Sequence, residues 1–284
     1  MRIAGIVLAL LLIQGGMAKA EAEKPLTLGF MPYLNAAHLI EKYQPLATYL
    51  SARLDREVEI VVARNYVDHI RRTGEDKLDI SFLGGSPYVA ITDQFGPKPI
   101  LAGYEFDGKG TFRAVIFVRK DSPVASLSQL AGKRFAFGNA DSTLSTQVPL
   151  WMLMEAGVGL DRLGEYRHLR NHENVALGVR FGDFDAGAVA EEVFGEIQGD
   201  DLRILARSPD LATHLFVARR TLPPALRDRI RTALIDLKKE PGGAAILRSI
   251  AGNLTGFLPV EDRDYDLLRT MLEKVLPVLG TERN

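Results

Sequence analysis

The apolar positions of this chain fall into short blocks whose period switches between two residues and about 3.6. Leu26-Thr27-Leu28-Gly29-Phe30 predicts a buried strand that Pro32 stops. Leu39, Tyr43, Leu46, Ala47, Leu50 and Leu54 then mark one face of a helix over residues 39–54. The β-branched run Val58-Glu59-Ile60-Val61-Val62 predicts the next strand. A helix follows over 66–78, and Asp79-Ile80-Ser81-Phe82-Leu83 predicts a third strand. Gly84, Gly85 and Pro87 punctuate the turn into a helix over 87–92. A β-α-β-α-β-α order implies an α/β fold with a largely parallel sheet.

Residues 100–105 and 111–119 predict two more strands, after which Asp121-Ser122-Pro123 breaks the chain. A second α/β series begins there. It has a short helix over 127–130, strands over 134–137, 166–169, 186–189 and 202–206, and helices over 146–156, 173–181 and 191–197. Ser208-Pro209 is a second break, followed by a strand over 214–218 and helices over 223–239, 244–250 and 264–275. The junctions Val118-Arg119-Lys120 and Val217-Ala218-Arg219 bracket the middle block. Two arrangements satisfy this pattern. One is two lobes joined by two crossovers, with 120–206 as one lobe and 21–119 plus 207–284 as the other; the second is one continuous doubly wound sheet.

Composition narrows the function classes. The chain has 284 residues, with Lys+Arg 35 against Asp+Glu 36, so it lacks the basic excess of a nucleic-acid binder. It has no cysteine, which excludes disulfides, thiolate nucleophiles, cysteine zinc sites and lipid attachment to an N-terminal cysteine. Arg2, the apolar run over 3–13 and Ala18-Lys19-Ala20 form the pattern of a cleaved secretory signal peptide over residues 1–20. That apolar run is shorter than the roughly 20 residues a spanning helix needs. A monomeric, exported, disulfide-free protein of a bacterial periplasm is the expectation.

Candidate chemistry gathers at strand-to-helix junctions. Asp141-Ser142-Thr143-Leu144-Ser145-Thr146 follows a strand and precedes a helix, and it packs four hydroxyls into five residues from Ser142 onward. Hydroxyl caps close a helix end, but outward-pointing N–H groups with the positive dipole end behind them also form an anion site. Four hydroxyls exceed what capping needs. Gly84-Gly85-Ser86-Pro87-Tyr88 is a second such junction, where Tyr88 and Ser86 meet either the same ligand or the core. His172 stands at the mouth of a predicted helix and can donate to an oxyanion or cap the helix. Glu191 and Glu192 follow a small-residue strand, where α/β sites lie, although acids are also common in a first helical turn. No nucleophile elbow or H-E-x-x-H motif is present, and the five histidines form no metal-ligand pattern. Neither a metal nor a cofactor is expected.

Taken together, the chain resembles the periplasmic substrate-binding proteins of phosphate, phosphite and phosphonate ABC transporters. The segments that carry the resemblance begin with Gly29-Phe30-Met31-Pro32, Pro45-Leu46-Ala47-Thr48-Tyr49-Leu50 and Asp79-Ile80-Ser81-Phe82-Leu83-Gly84. They continue with Asp141-Ser142-Thr143, His172-Glu173-Asn174-Val175-Ala176-Leu177, Asp185-Ala186-Gly187-Ala188-Val189 and Leu205-Ala206-Arg207-Ser208-Pro209. The resemblance implies a two-lobed type II periplasmic-binding fold with two crossover strands as hinge, a small oxyanion ligand in the cleft, and a membrane permease as partner. It places Ser142 and Thr143 in an anion-binding turn, His172 beside it, Tyr88 on the first lobe and Glu192 in an acidic region that receives a ligand amine. Ser145, Ser86 and Tyr33 complete the expected set. Leu144 stands where a serine is usual, Ser145 where a glycine is usual, and Ala190 where an aspartate is often found. A sensor subunit for a different small organic ligand, and an exported enzyme using His172 and Glu192 as acid and base, are the alternatives.

Overall fold

The computed structural model describes residues 24–280 apart from Gln198; the signal-peptide reading of residues 1–20 lies outside the described residues. The first block runs β1 (Leu26–Phe30), α1 (Ala36–Leu54), β2 (Val58–Val62), α2 (Tyr66–Gly74), β3 (Ile80–Leu83), α3 (Gly85–Phe95) and β4 (Ile100–Glu105). The chain then passes through β5 (Thr111–Phe112) into β6 (Ala114–Arg119) and β7 (Arg134–Phe137). A π-helical turn over Thr143–Gln147 leads into α4 (Val148–Glu155). After it come β8 (Glu165–His168), α5 (His172–Arg180), β9 (Ala186–Ala190), α6 (Glu191–Ile197) and β10 (Leu202–Arg207). The return runs through β11 (Leu211–Ala212), β12 (Leu215–Ala218), α7 (Pro224–Asp236), α8 (Gly243–Ile250), β13 (Gly256–Leu258) and α9 (Asp266–Gly280).

These strands form two sheets rather than one. The first has the order β13-β4-β12-β3-β1-β2 and the second β10-β6-β9-β7-β8. Within the first sheet β1, β2 and β3 are parallel, and β12 runs antiparallel between β3 and β4. The second sheet has parallel β8, β7 and β9, with β6 antiparallel to β9. A separate two-stranded ribbon of β5 against β11 lies on the two chain passages between the sheets. Pattern reading treats residues 111–119 as one strand ending the first lobe. The chain instead breaks at Arg113, and Ala114–Arg119 pairs in the second sheet, as does β10. By sheet membership the crossovers are therefore β5 and β11, not the junctions at Arg119 and Arg219. Two-residue strands carry too little periodicity to be recognised, so β11 had no signal.

Burial explains the near-continuous apolar runs. Strands β3, β9 and β12 are buried along their whole length, covered on both faces as parallel-rich sheets are. Phe30, Phe82, Phe216 and Phe257 fill the first lobe's core with Tyr43 and Tyr104. On the second sheet Val115, Phe117, Val175, Val179, Val189 and Phe194 pack under α5 and α6. The C-terminal helix α9 packs against α3 and also against α4. It therefore touches both halves.

Gly138 supports the site from below. A Cβ on Gly138 would lie 2.4 Å from the Ser145 hydroxyl, and the Gly138 N–H donates to the Ser145 carbonyl at 2.9 Å. Strand β7 thus leaves the sheet directly beneath the π-helical turn. Gly138→Ala is expected to displace Ser145 and destabilise the protein by about 1–3 kcal/mol, the usual cost of overpacking. A lowered melting temperature checks this; an unchanged one would mean that the turn has slack.

Candidate functional site

Four helical N-termini point at one place between the sheets. Tyr66 begins α2, Gly84 caps α3, Ser142 caps the π-helical turn and His172 begins α5. With Met31, Pro87, Thr143, Leu144 and His214 they line a single cavity. The first three parallel strands deliver Met31, Tyr66 and Gly84 from their C-terminal ends, the edge at which α/β sheets bind ligands. His214 reaches the same edge because β12 runs antiparallel and starts there. Each helix terminus contributes N–H groups that have no acceptor within the helix backbone, and the positive end of its dipole.

The two halves touch across this cavity. The Ser86 backbone N–H donates to the Thr143 hydroxyl at 2.8 Å. Ser142 accepts the Ser145 N–H at 3.3 Å and interacts with the Tyr66 phenol. The cavity measures about 10 Å³, close to the room one water needs. No lysine, arginine, aspartate or glutamate lines it.

His172 is buried with neither ring nitrogen hydrogen-bonded, and the His214 Nδ1 and the Ser86 hydroxyl are likewise buried without a hydrogen bond. Burial, helped by the nearby Lys42 ammonium, pushes His172 down to about 4. Burial pushes His214 down to about 3, with His172 and Lys42 adding to the effect. Both rings are therefore neutral at pH 7. His172 gains a charge only near pH 4. Glu192 behaves oppositely: burial raises it to about 7, against the lowering influence of its own backbone N–H and of Lys42.

Of the sequence-predicted residues, Ser142, Thr143 and His172 line the cavity, and Ser86 meets it through its backbone. Tyr33 sits behind it, with its ring 6.1 Å from His172 and 6.4 Å from His214. Its hydroxyl joins a buried chain, 2.8 Å from the Tyr43 hydroxyl, which is 2.5 Å from that of Tyr104. Three residues lie elsewhere. The Ser145 hydroxyl donates to the Ala188 carbonyl at 2.5 Å and locks the turn to β9. Tyr88 points away, donating to Asp262 at 2.7 Å and packing on Tyr265. Glu192 lines a separate hinge pocket of about 270 Å³ with Phe106, Thr111, Phe112 and Arg113. Sequence reasoning missed Tyr66, Met31 and His214. Tyr66 had a usable signal, since it follows a strand and the capping Asn65. His214 had none, because only the antiparallel course of β12 brings it here.

Beyond the cavity, α1 grips the second half. The Glu173 carboxylate accepts both Asn35 Nδ2 contacts, at 2.9 and 3.1 Å, and pairs with His38 Nδ1 at 2.9 Å. Burial alone would raise Glu173; those hydrogen bonds outweigh it and hold the carboxyl below its usual range. The buried Lys42 reaches Glu196 at 3.0 Å.

Two lobes around a cleft lined by helix N-termini define a solute-binding protein of the type II periplasmic class. The chain belongs to the phosphonate periplasmic substrate-binding proteins of ABC transporters, which it matches over residues 28–265. A probable ABC transporter phosphite-binding protein of Prochlorococcus marinus is 28% identical over 185 residues, 60% of this chain and 60% of that relative. The phosphonates-binding periplasmic protein of Escherichia coli is 24% identical over 81% of this chain and 71% of its own length. A Prochlorococcus marinus protein solved in complex with methylphosphonate superimposes with a TM-score of 0.79 at 23% identity, covering 88% of this chain and 98% of its own.

Stability should follow the buried histidines. A group depressed from 6.5 to about 4 contributes stability that is present above pH 6.5 and lost as the pH falls toward 4. Glu192, raised to about 7, has the opposite sign: its contribution is lost as the pH rises from 4.5 to 7. Three depressed histidines, His172, His214 and the buried His69, against one raised acid leave a net loss between pH 6.5 and 4. His172→Gln is expected to remove on the order of 3 kcal/mol of that acid loss. Urea unfolding at pH 7 and pH 4.5 measures it, and an unchanged pH difference would place the His172 ring in water.

Proposed function

We propose that this protein captures a small phosphorus oxyanion (phosphonate, phosphite or phosphate) between its lobes in the periplasm and hands it, as a monomer, to an ABC permease. The observation that carries the reading is the convergence of four helix N-termini and two buried histidines, His172 with neither ring nitrogen hydrogen-bonded, on a cavity lined by hydroxyls and by no acid. Such a surface offers N–H and O–H donors in place of water, which an anion leaving solvent requires. The family is a transport family, which favours delivery to a permease over a sensing or enzymatic role. Cleavage after residue 20 would release the mature chain.

Entry and release need hinge motion. As closed, the lobes leave room for about one water, and the Thr143 hydroxyl is held by Ser86. Opening about β5 and β11 separates these groups; an oxyanion then takes the Thr143 hydroxyl and the Ser86 N–H as separate donors. The Glu173 grip on α1 and the Lys42–Glu196 pair hold the closed form from outside the cleft. A ligand shifts the balance only through contacts it makes in the closed form alone.

Thr143→Ala removes one donor to a charged ligand, worth about 1.5–3 kcal/mol, so affinity is expected to fall by roughly tenfold to a hundredfold. The check is calorimetric titration with phosphite, methylphosphonate and phosphate in phosphate-free buffer. Wild-type binding that survives the substitution unchanged would remove the turn from the site. An absence of binding by all three would move the search to other oxyanions.

A further inference from the structure

The cavity has no fixed positive charge, yet one of its walls can acquire one. His214 lines the cavity, and its Nδ1 lies 3.6 Å from the Glu192 carboxylate, with each side chain only 10% exposed. The Nδ1 side thus faces Glu192. The ring is fixed by aromatic neighbours: Phe82 stacks at 5.0 Å, Phe112 meets it edge-on at 4.6 Å, and Tyr104 lies at 5.7 Å. His172, the other ring in the cavity, has no such acid, because the adjacent Glu173 is engaged with His38 and Asn35.

Resting on the oxyanion reading above, we infer that His214 and Glu192 form a proton-sharing pair that supplies the pocket's positive charge when the anion enters and leaves no acid to receive a cationic tail. In the step, the Glu192 O–H bond breaks and an Nδ1–H bond forms on His214, each electron pair staying with its own atom. Glu192 becomes a carboxylate and His214 an imidazolium whose far edge donates to the ligand. The charge thus appears with the ligand, and the pocket avoids burying a bare cation before the anion arrives.

Other groups face the pair. Lys42 comes from α1 and is paired with Glu196 of α6; Glu191 lies next in sequence on α6. His172 faces it from α5, and the phenols of Tyr33, Tyr43 and Tyr104 lie behind. Glu191 is held by Arg207 at 2.6 Å. The raised Glu192 carboxyl is consistent with a proton available for transfer below about pH 7. Above that pH the carboxylate would already be ionised behind the anion, and binding would need a proton from solvent.

The pair also bears on ligand choice. A ligand amine needs an acid in reach, and none lines the cavity. Glu192 lies behind the His214 ring and opens on its other side to the hinge pocket, with Phe112 in the wall between. The site is therefore fitted to a compact oxyanion with no charged tail.

The test is methylphosphonate titration of wild type, Glu192→Gln and His214→Gln between pH 5.5 and 8.5, with each variant's melting temperature as a folding control. Comparing wild type with Glu192→Gln at each pH cancels the ligand's own titration. Wild type should bind at least tenfold tighter than Glu192→Gln at pH 6, with the advantage gone by pH 8, and 2-aminoethylphosphonate should bind no tighter than ethylphosphonate. A wild-type to Glu192→Gln ratio constant with pH, or a tenfold preference for the amine, overturns the proposal while leaving the oxyanion reading intact. If wild type binds none of methylphosphonate, phosphite and phosphate at any pH, the phosphorus-oxyanion reading falls, and this inference falls with it. The near-isosteric Glu192→Gln keeps the test valid if His214→Gln fails to fold.

Discussion

The hydrogen bond from the Ser86 backbone to the Thr143 hydroxyl, 2.8 Å across the cleft, is the contact on which the rest of the molecule turns. It joins the N-terminus of a first-lobe helix to the hydroxyl turn of the second, where each side presents donors that lack a partner inside its own helix. Such ends are stable in water or against an anion, and costly if closed on apolar groups. The two sheets therefore meet at their most polar points. The surrounding features hold those points in register: Ser145 tied to Ala188, Gly138 beneath the turn, and Tyr66 against Ser142.

On the proposed reading, the cleft has rigid surroundings and a mobile hinge. Behind the cavity, three phenol hydroxyls in series and a cluster of phenylalanines fill the first lobe with groups that have few alternative rotamers. Burial pushes all three phenols well above their ordinary range, so they stay neutral and act as hydrogen-bonding struts. The crossovers, by contrast, are a ribbon of two-residue strands. Motion is expected to concentrate there, because so few backbone pairs resist it. The contacts at the cleft's rim, such as Glu173 with Asn35, are partly exposed and so cheap to break.

Leu144 is the apolar member of the π-helical turn that reaches the cavity. It lines the cavity beside Met31, on a turn otherwise made of hydroxyls. A leucine there supplies no donor and reduces the room for water. The donors that remain come from backbone, from Ser142 and Thr143, and from two rings that burial keeps neutral. On the proposed reading, anion binding rests on dipoles and on induced charge rather than on a lysine or arginine.

The α/β alternation and the placing of Ser142, Thr143 and His172 at helix starts were legible in the sequence, because each rests on local periodicity or on helix-end chemistry. The helix ends moved by a few residues, α2 stopping at Gly74 and α9 running on to Gly280, since packing rather than pattern sets where a helix frays. What the chain order could not convey is which strand lies beside which. Sheet pairing assigned Ala114–Arg119 to the second half and turned the junction into a β5–β11 ribbon. The same pairing carried His214 into the cavity, turned Tyr88 toward Asp262 and set Glu192 behind a histidine ring. A side chain's chemistry is written in its own residue, but its partners are decided by contacts between elements far apart in the chain, and only the tertiary structure holds those.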